Sequence, residues 1–324
     1  MKAYRWHGPG TGDLKLQQTP IPEPAAGEVL VEVQACGLCH SDCHVINGSQ
    51  SDAVKQRPIT LGHEVAGNII NIGPGVTEAK IGDRICVSLG GHPDRPPKVI
   101  GLTMDGGYAE YAIAAVEMLV RIPDNVSFEH AAVLTDSLTT AYHAIMGAGE
   151  VKAGDTVAIV GLGGLGSTAM RVACLQGATV YGFDIDSRKF SSAMESGATA
   201  CFAGVQDVTD IKFDTILDFV GMSQTICPAL KSLRYRGRLV LVGLAEKDIT
   251  FTLFDVVFNK IEIRGCLGGS KDDMHAVAEL IASGKLQPHL EEVPFEQLNE
   301  SLHRLEAGEA AGRIFTKPRK GADE

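Results

Sequence analysis

The sequence predicts an α/β protein in which β-rich flanking segments enclose a doubly wound parallel sheet, and three observations lead to this prediction. Residues 29–34 alternate between valines and other side chains, as in a strand with one buried face. Glycine and proline repeatedly interrupt about the first 130 residues, for example at 73–75 and 90–93, as expected of turns between short strands. From about residue 155, apolar strands alternate with helical segments.

Four apolar segments of the central part predict buried strands, at Thr156–Val160, Thr179–Phe183, Thr215–Phe219 and Arg238–Val242. We expect two of the intervening helices to end at Gly177 and Gly197, because glycine favours the position after a helix. Apolar strands separated by amphipathic helices are typical of a parallel sheet that helices cover on both faces.

The chain then returns to the first type of pattern. A helix is predicted over Asp272–Ala282 and a short strand over Arg313–Thr316. We therefore expect a discontinuous domain formed by residues 1–136 and 269–324, with a second domain, residues 137–268, inserted into it.

The composition of the 324 residues excludes some classes of function. Hydrophobic residues make up 44% and charged residues 21%, which is ordinary for a globular protein. A net charge of −11 and a pI near 5.4 disfavour binding to nucleic acid or to an acidic lipid surface. The short basic run of Lys317, Arg319 and Lys320 is interpreted as a solvated tail.

The sequence shows neither a signal peptide nor an apolar run of the roughly 20 residues that span a bilayer. Eight cysteines are too few for a disulfide scaffold in a chain of this length, so they are expected as free thiols or metal ligands. The expected location is the cytoplasm, with no membrane and no nucleic-acid partner.

A glycine-rich turn follows the first central strand. Its residues fit G-x-G-x-x-G and are Gly161, Gly163, Gly164, Leu165 and Gly166. The motif alone is weak, but here a strand ends just before it and a helix begins within it. Glycine lets the backbone approach a pyrophosphate, and the helix N-terminus offers that anion its free N–H groups.

Asp184 ends the second central strand, about 20 residues beyond the first glycine, where an acid accepts hydrogen bonds from the adenosine ribose. A carboxylate there would repel the 2′-phosphate of NADP, so NAD is the expected cofactor. The alternative is that Asp184 caps the helix that starts near Ser187, although Asp186 is better placed for that.

Metal-ligand residue types occur in three separated segments, at 36–44, 61–64 and 134–143. The pair Cys36 and Cys39 has the spacing of a structural zinc site, but no second Cys-x-x-Cys completes a set of four thiolates. Cys36 is therefore interpreted as a small strand residue.

At these residues the chain resembles the zinc-containing alcohol dehydrogenases of the medium-chain dehydrogenase/reductase superfamily. The resemblance rests on CGLCHSDCH at 36–44, GHE at 62–64, LTDSLTTAYHA at 134–144 and GLGGLG at 161–166, followed by the aspartate. It covers nearly the whole chain in the family's order. It implies that residues 1–136 and 269–324 form a GroES-like catalytic domain and residues 137–268 a Rossmann cofactor domain.

The resemblance also implies that Cys39, His63 and Asp136 bind a catalytic zinc. Many members have cysteine at the third position, where this chain has aspartate. Three protein ligands leave an open position for water or substrate, as in catalytic zinc sites. The alternative for Asp136 is a helix N-cap, since residues 137–143 look helical.

Further roles follow from the same resemblance. Glu64 would approach the metal during ligand exchange, and Asp42 would fix the tautomer of a zinc-bound imidazole. Ser41 would take the proton of the alcohol, and His44 would pass it to solvent, because histidine titrates near neutrality. The alternative for His44 is a surface histidine without a role.

Three cations match family positions that contact the cofactor. His40 and Arg313 match positions at the pyrophosphate, and Lys189 matches one near the adenosine ribose. Each could instead be a solvated surface cation.

The chain departs from many relatives between Arg84 and Gly106. Those relatives carry a lobe there with four cysteines that bind a second, structural zinc, whereas this segment is short and contains Cys86 as its single thiol. We therefore expect one zinc per chain. The oligomeric state is left open by this loss, with a homodimer or homotetramer expected.

The leading hypothesis is the NAD-linked interconversion of a primary or secondary alcohol and its aldehyde or ketone. One alternative is a reductase of an activated C=C or C=N bond in a biosynthetic pathway, although the proton relay of Ser41 and His44 favours alcohol chemistry. The other is a non-catalytic nucleotide-binding protein, since a fold does not establish an activity. Residues that can bind zinc or transfer a proton occupy every ligand and relay position, which argues against a non-catalytic protein.

Overall fold

The structure, a computed structural model, describes residues 1–89, 98–310 and 312–319. The turn expected at 90–93 and the solvated position expected for Lys320 lie outside the described residues. In chain order the strands are β1 (Lys2–Trp6), β2 (Lys15–Gln18), β3 (Glu28–Gly37), β4 (Ile59–Thr60), β5 (Glu64–Ile72), β6 (Arg84–Val87), β7 (Tyr111–Ala115), β8 (Leu119–Arg121), β9 (Thr156–Val160), β10 (Thr179–Phe183), β11 (Ala200–Phe202), β12 (Phe213–Asp218), β13 (Leu233–Leu241), β14 (Glu262–Gly265), β15 (Leu290–Val293) and β16 (Arg313–Thr316). The α-helices are α1 (His40–Ile46), α2 (Phe128–Val133), α3 (Thr139–His143), α4 (Gly164–Leu175), α5 (Phe190–Glu195), α6 (Ser223–Ser232), α7 (Leu253–Asn259), α8 (Lys271–Ala282) and α9 (Leu298–Glu306).

The chain divides into two compact units. The first consists of Met1–Ser137 with Ser270–Glu324, and the second is Leu138–Gly269. Each limit lies one residue from the boundary that the sequence suggested.

The first unit is built on a seven-stranded sheet of order β15-β16-β3-β5-β6-β8, in which β7 also pairs with β3. Strands β1, β2 and β4 form a separate three-stranded sheet. Val29, Val31 and Val33 of β3 are completely buried, which confirms the buried face that the alternation predicted. Burial of these branched side chains between the sheet and its helices stabilises the strand that positions the site.

Strands β3 and β5 bring two distant parts of the chain together. They pair antiparallel, and Gly37 at the end of β3 lies opposite Glu64 at the start of β5. A Cβ on Gly37 would lie 1.9 Å from Oε2 of Glu64, so this approach requires glycine. The segment after β3 and the segment before β5 are therefore neighbours, and they carry Cys39 and His63 respectively.

The second unit is a six-stranded parallel sheet of order β11-β10-β9-β12-β13-β14. Counted within the unit, this is the order 3-2-1-4-5-6 of Rossmann sheets. One buried cluster packs Ala169 and Ala173 of α4 against the sheet, and another packs Ile226 and Leu230 of α6 against it. The predicted α/β class with a doubly wound parallel sheet is thus confirmed.

Most predicted element limits agree with the structure. Strands β9, β10 and β16 match the predicted ranges, and Gly177 and Gly197, with φ of 87° and 110°, follow α4 and α5 as predicted. Strand β13 begins earlier than predicted, at Leu233, because residues 234–236 are exposed and interrupt the apolar pattern.

No helix in the described ranges is both long enough and apolar enough to cross a membrane.

Candidate metal centre and active site

Three side chains of the first unit point their donor atoms at one another. Cys39 precedes α1, His63 precedes β5, and Asp136 lies in a π-helical turn, Leu134–Leu138. Oδ2 of Asp136 lies 3.5 Å from Sγ of Cys39 and 3.3 Å from Nε2 of His63. The three donor atoms all lie within 4.8 Å of one another. The structure thus brings together the residues that the resemblance implied as metal ligands.

Asp136 lies inside a helical run rather than at the start of one. Helix α2, the π-helical turn and α3 follow without a break, and the residue before α3 is Leu138. The N-cap interpretation of Asp136 is therefore wrong. Because π-turns are rare and frequently occur at functional sites, this local geometry accords with a ligand role.

The separations of the donor atoms suit a tetrahedral zinc ion. Zinc binds thiolate sulfur at about 2.3 Å and nitrogen or oxygen at about 2.0–2.2 Å, so adjacent ligands of a tetrahedron lie about 3.3–3.7 Å apart. The two distances from Asp136, 3.5 and 3.3 Å, are close to this range. A thiolate, an imidazole and a carboxylate are all zinc donors, and a set of three leaves one position for substrate. The residues present therefore fit a catalytic zinc.

His63 is buried between two carboxylates. Its Nδ1 lies 3.4 Å from Oδ1 of Asp42, while its Nε2 faces Asp136. Burial disfavours the imidazolium, but the charge of Asp42 and the contacts with Asp136 raise the pKa of His63 well above its usual value. Because a metal must displace this proton, metal binding is coupled to proton release.

Asp42, which is completely buried, is held by donors from three segments. Oδ2 accepts from the Cys39 amide at 3.3 Å and from the Tyr108 hydroxyl at 2.8 Å. Oδ1 accepts from the Gly62 amide at 3.3 Å. Asp42 was expected from the sequence but Tyr108 was not, because no local pattern links residues that are 66 positions apart.

A buried ion pair lies beside the three donors. Oε1 of Glu64 accepts from Nη2 of Arg313 at 2.9 Å and from both the amide and the hydroxyl of Ser137. Arg313 also donates to the Leu38 carbonyl at 3.0 Å. The interpretation of Arg313 as a solvated surface cation is therefore wrong. In this structure Glu64 faces Arg313, and Ser137 is a second partner that was not expected from the sequence.

The remaining residues expected at this site lie on helix α1. Oγ of Ser41 is 3.1 Å from Sγ of Cys39 and 3.4 Å from Nε2 of His63, so the hydroxyl borders two of the donors. His44 is half-buried, with Nδ1 at 3.4 Å from Oγ of Ser49, and His40 is exposed. Ser41 and His44 are three residues apart and so share one side of the helix.

The glycine-rich turn of the second unit has the geometry that its motif requires. Gly161 has a φ of 88°, and Gly163 precedes helix α4, which begins at Gly164. A Cβ on Gly166 would lie 1.7 Å from the Gly161 carbonyl oxygen, so helix and strand meet only because this residue is glycine. A Cβ on Gly163 would meet nothing within 4 Å, which leaves room beside the N-terminus of the helix.

Asp184 follows β10 and faces the glycine-rich turn. Its Oδ2 accepts from the Leu162 amide at 2.8 Å and pairs with Nζ of Lys189 at 2.9 Å. Asp186 caps the following helical turn by accepting from the Arg188 amide, which confirms Asp186 as the cap.

Fold and site together define a class of protein. A Rossmann sheet with a dinucleotide-type glycine turn occurs in one unit, and a set of three zinc donors with a neighbouring hydroxyl occurs in the other. This combination defines a nicotinamide-linked, zinc-dependent oxidoreductase.

Comparison with known proteins identifies the family. Residues 25–124 match the family described as alcohol dehydrogenase GroES-like domain, and residues 164–283 match the zinc-binding dehydrogenase family. An alcohol dehydrogenase of Geobacillus stearothermophilus is 34% identical, over 94% of this chain and 96% of the relative. An NAD-dependent alcohol dehydrogenase of Saccharolobus solfataricus is 30% identical, over 94% and 96%. The solved structure of an alcohol dehydrogenase from Aeropyrum pernix superimposes with a TM-score of 0.90 at 27% identity, over 98% of this chain and all of that one.

The chain therefore belongs to the zinc-containing alcohol dehydrogenases of the medium-chain dehydrogenase/reductase superfamily. It is an NAD-linked enzyme that interconverts alcohols and carbonyl compounds.

Proposed function

We propose that Cys39, His63 and Asp136 hold a single catalytic zinc, at which a primary or secondary alcohol and its aldehyde or ketone are interconverted. The observation that carries this proposal is the convergence of the three donor atoms within 4.8 Å. One zinc per chain is proposed because Cys86, the single thiol between Arg84 and Gly106, is buried in β6.

When bound, zinc supplies Lewis acidity that makes the hydroxyl of an alcohol more acidic, and NAD supplies the hydride acceptor. Ser41 takes the alcohol proton, and the support for this role is its hydroxyl beside Cys39 and His63. His44 passes the proton to solvent, since it lies one helical turn further on and is half-buried. Asp42 keeps Nε2 of His63 directed at the site by facing Nδ1.

Glu64 and Arg313 complete the surroundings of the donors. Their pairing places a carboxylate and a guanidinium next to the cluster without exposing either to solvent. We propose that Glu64 would be the further carboxylate available to a metal held by the three donors, and that Arg313 would balance its charge. Arg313 and the exposed His40 then provide the positive charge that holds the cofactor pyrophosphate.

The cofactor itself is proposed to bind at the glycine-rich turn. The pyrophosphate meets the amides at the start of α4, where Gly163 leaves open space. Asp184 accepts the adenosine ribose hydroxyls, with Lys189 beside it. The carboxylate disfavours a 2′-phosphate, so NAD is preferred over NADP.

A substrate panel and metal analysis test the proposal directly. The purified enzyme is assayed with primary and secondary alcohols, and with activated alkenes and imines, using NAD and NADP. We expect alcohol turnover with NAD and one zinc per chain, with turnover lost on chelation and restored by zinc. Undiminished turnover in the metal-free protein would contradict the proposed centre, and turnover restricted to C=C or C=N substrates would favour the alternative reductase.

We also propose that the enzyme is a homo-oligomer whose second copy covers helix α7. Leu253, Phe254, Val257 and Phe258 are 71, 59, 67 and 65% exposed, and the two phenyl rings stack at 4.0 Å. Exposed apolar groups at this spacing form a continuous face, which is uncommon on a monomer. Strand β14 lies at the adjacent edge of the parallel sheet and pairs only with β13 among the described residues.

Light scattering tests the oligomer. Val257→Lys places a charge in the exposed face of α7 and is expected to reduce the molar mass to that of a smaller assembly. Ile81→Lys, at a residue that is 61% exposed in the other unit, is the matched control and is expected to leave the mass unchanged. A wild-type monomer, or an unaltered mass for Val257→Lys, would contradict the proposal.

We further propose a cytoplasmic location, because the eight cysteines are thiols and not disulfides.

A further inference from the structure

Tyr108 is a completely buried residue whose main chain lies against the segment that carries His63. Its amide donates to the Leu61 carbonyl at 3.0 Å, and the amide of Gly107 donates to the Gly62 carbonyl at 2.7 Å. On the other side, the amide of Tyr4 donates to the Tyr108 carbonyl at 2.8 Å. The backbone of Tyr108 is therefore fixed from two sides, next to the residues that precede a proposed metal ligand.

The ring of Tyr108 packs on glycine. A Cβ on Gly62 would lie 2.6 Å from Cδ1 of the Tyr108 ring and 2.9 Å from Sγ of Cys36. Gly62 also has a φ of 89°, which side chains rarely adopt. This close packing leaves the ring no freedom to tilt away, so the position of its hydroxyl is set by the main chain.

The hydroxyl ends at Asp42. It lies 2.8 Å from Oδ2, which is the shortest of the contacts that hold this carboxylate. The Gly37 carbonyl is a second acceptor, but at 3.5 Å it is too distant to compete. Burial and the neighbouring Asp42 raise the pKa of Tyr108 well above its usual value, so the hydroxyl keeps its proton and acts as a donor.

Asp42 in turn faces His63. Its Oδ1 lies 3.4 Å from Nδ1 of His63, whose Nε2 is 3.3 Å from Asp136. The amides of Cys39 and Gly62 also anchor the carboxylate, and Tyr108 adds a side-chain hydroxyl to these two main-chain donors.

We propose that Tyr108 is a positioning residue of the metal centre, which orients Asp42 and through it keeps Nε2 of His63 directed at Cys39 and Asp136. This inference rests on the proposed zinc site. Loss of the hydroxyl leaves a buried carboxylate oxygen without its shortest contact, so the imidazole is held less firmly and the metal leaves more readily.

Zinc affinity is the readout, measured by competition with a colorimetric chelator. Tyr108→Phe keeps the ring and removes only the hydroxyl, and we expect the zinc dissociation constant to rise about tenfold, at the lower end of the effect of partners of metal ligands. The cobalt-substituted variant is expected to show an altered visible spectrum. Tyr111→Phe is the matched control, because its hydroxyl accepts from Arg319 instead of donating to Asp42, and we expect its loss to leave zinc affinity unchanged.

A second background separates positioning from a general packing role. With Asp42→Asn already present, Tyr108→Phe is expected to change zinc affinity less than about twofold, because the hydroxyl acts through the Asp42 carboxylate.

An unchanged zinc affinity in Tyr108→Phe, or an equal loss in both backgrounds, would overturn the inference. The proposed zinc site is tested separately, by measuring whether the wild-type chain binds one zinc. Wild-type binding together with an unaffected Tyr108→Phe would remove the positioning role and leave the metal site intact.

Discussion

Arg313 and Glu64 form an ion pair in the interior of the first unit, with Nη2 of the arginine 2.9 Å from Oε1 of the glutamate. Their side chains are 5 and 0% exposed. Burial raises the pKa of Glu64 above its usual value, and the adjacent guanidinium of Arg313 offsets only part of this rise. The charge of Glu64 in turn raises the pKa of Arg313 against the opposing effect of burial. The two opposite charges therefore stabilise each other in the interior. Glu64 also contacts Ser137, which follows Asp136, and Arg313 contacts Leu38, which precedes Cys39.

Removal of one partner should strongly destabilise the fold. Arg313→Met leaves Glu64 as an uncompensated buried charge, which costs about 3–5 kcal/mol in the free energy of unfolding. Urea denaturation of the metal-free protein measures this cost. Arg304→Met, at a partly exposed pair with Glu291, is the control and should cost less than about 1 kcal/mol. The double variant Arg313→Met, Glu64→Gln should recover part of the lost free energy of unfolding, because it contains no uncompensated buried charge. If the effects of the two single changes simply added, the charge explanation would be contradicted.

Asp136→Asn tests the third ligand. An amide is a poorer zinc ligand than a carboxylate, so we expect the zinc dissociation constant to rise at least about tenfold. Asp136→Cys should retain zinc, because thiolate is an established zinc donor. Asp52→Asn, at an exposed aspartate of the same unit, serves as the control. Metal analysis showing full zinc content and an unchanged affinity in Asp136→Asn would remove this residue from the ligand set.

The sequence predicted some features of this enzyme better than others, and the difference has a physical cause. Strands β9, β10 and β16 were predicted with their observed limits because local apolar pattern determines them. Tyr108 and Ser137 were missed because their partners, Asp42 and Glu64, lie 66 and 73 residues away. Such contacts depend on how β3, β5 and the π-helical turn meet, which no local pattern encodes.

The burial of Arg313 could not be predicted from sequence for a related reason. Arginine is rarely buried unless it is paired, and its partner Glu64 is 249 residues away. The three donors were found only because the resemblance supplied their spacing. The roles of Ser41, His44 and Lys189 stay predictions.

Asp184→Gly tests how the enzyme distinguishes its cofactors. The change removes the negative charge that repels a 2′-phosphate and frees Lys189, now paired with Asp184 at 2.9 Å, to attract one. We expect the ratio of kcat/KM for NAD to that for NADP to fall at least about tenfold, or ~1.4 kcal/mol. Asp186→Asn, two residues further along and bonded to Arg188, is the control. An unaltered ratio in Asp184→Gly would mean that another residue distinguishes the two cofactors.

Ionisation of Glu129 should contribute to the way in which the free energy of unfolding depends on pH. Burial opposes its ionisation, but hydrogen bonds from Ser127 and from Lys317, whose Nζ is 2.9 Å away, lower its pKa to about 2. Because the pKa is about 4.3 in an unfolded chain, the stabilisation is fully present above that pH and is lost as the pH falls towards 2. The ion pair is partly exposed, so we expect about 1 kcal/mol.

Glu129→Gln should therefore lower the free energy of unfolding at pH 6 by this amount and by progressively less between pH 4 and pH 3. Urea denaturation at these pH values, with the same zinc content in each sample, measures the difference from wild type. Glu23→Gln, at an exposed glutamate of the same unit, provides the control for a general change in charge. A difference between Glu129→Gln and wild type that stays constant from pH 6 to pH 3 would show that the lost stability comes from packing of the side chain. In that case Lys317 and Ser127 would not be stabilising the ionised form of the Glu129 carboxylate.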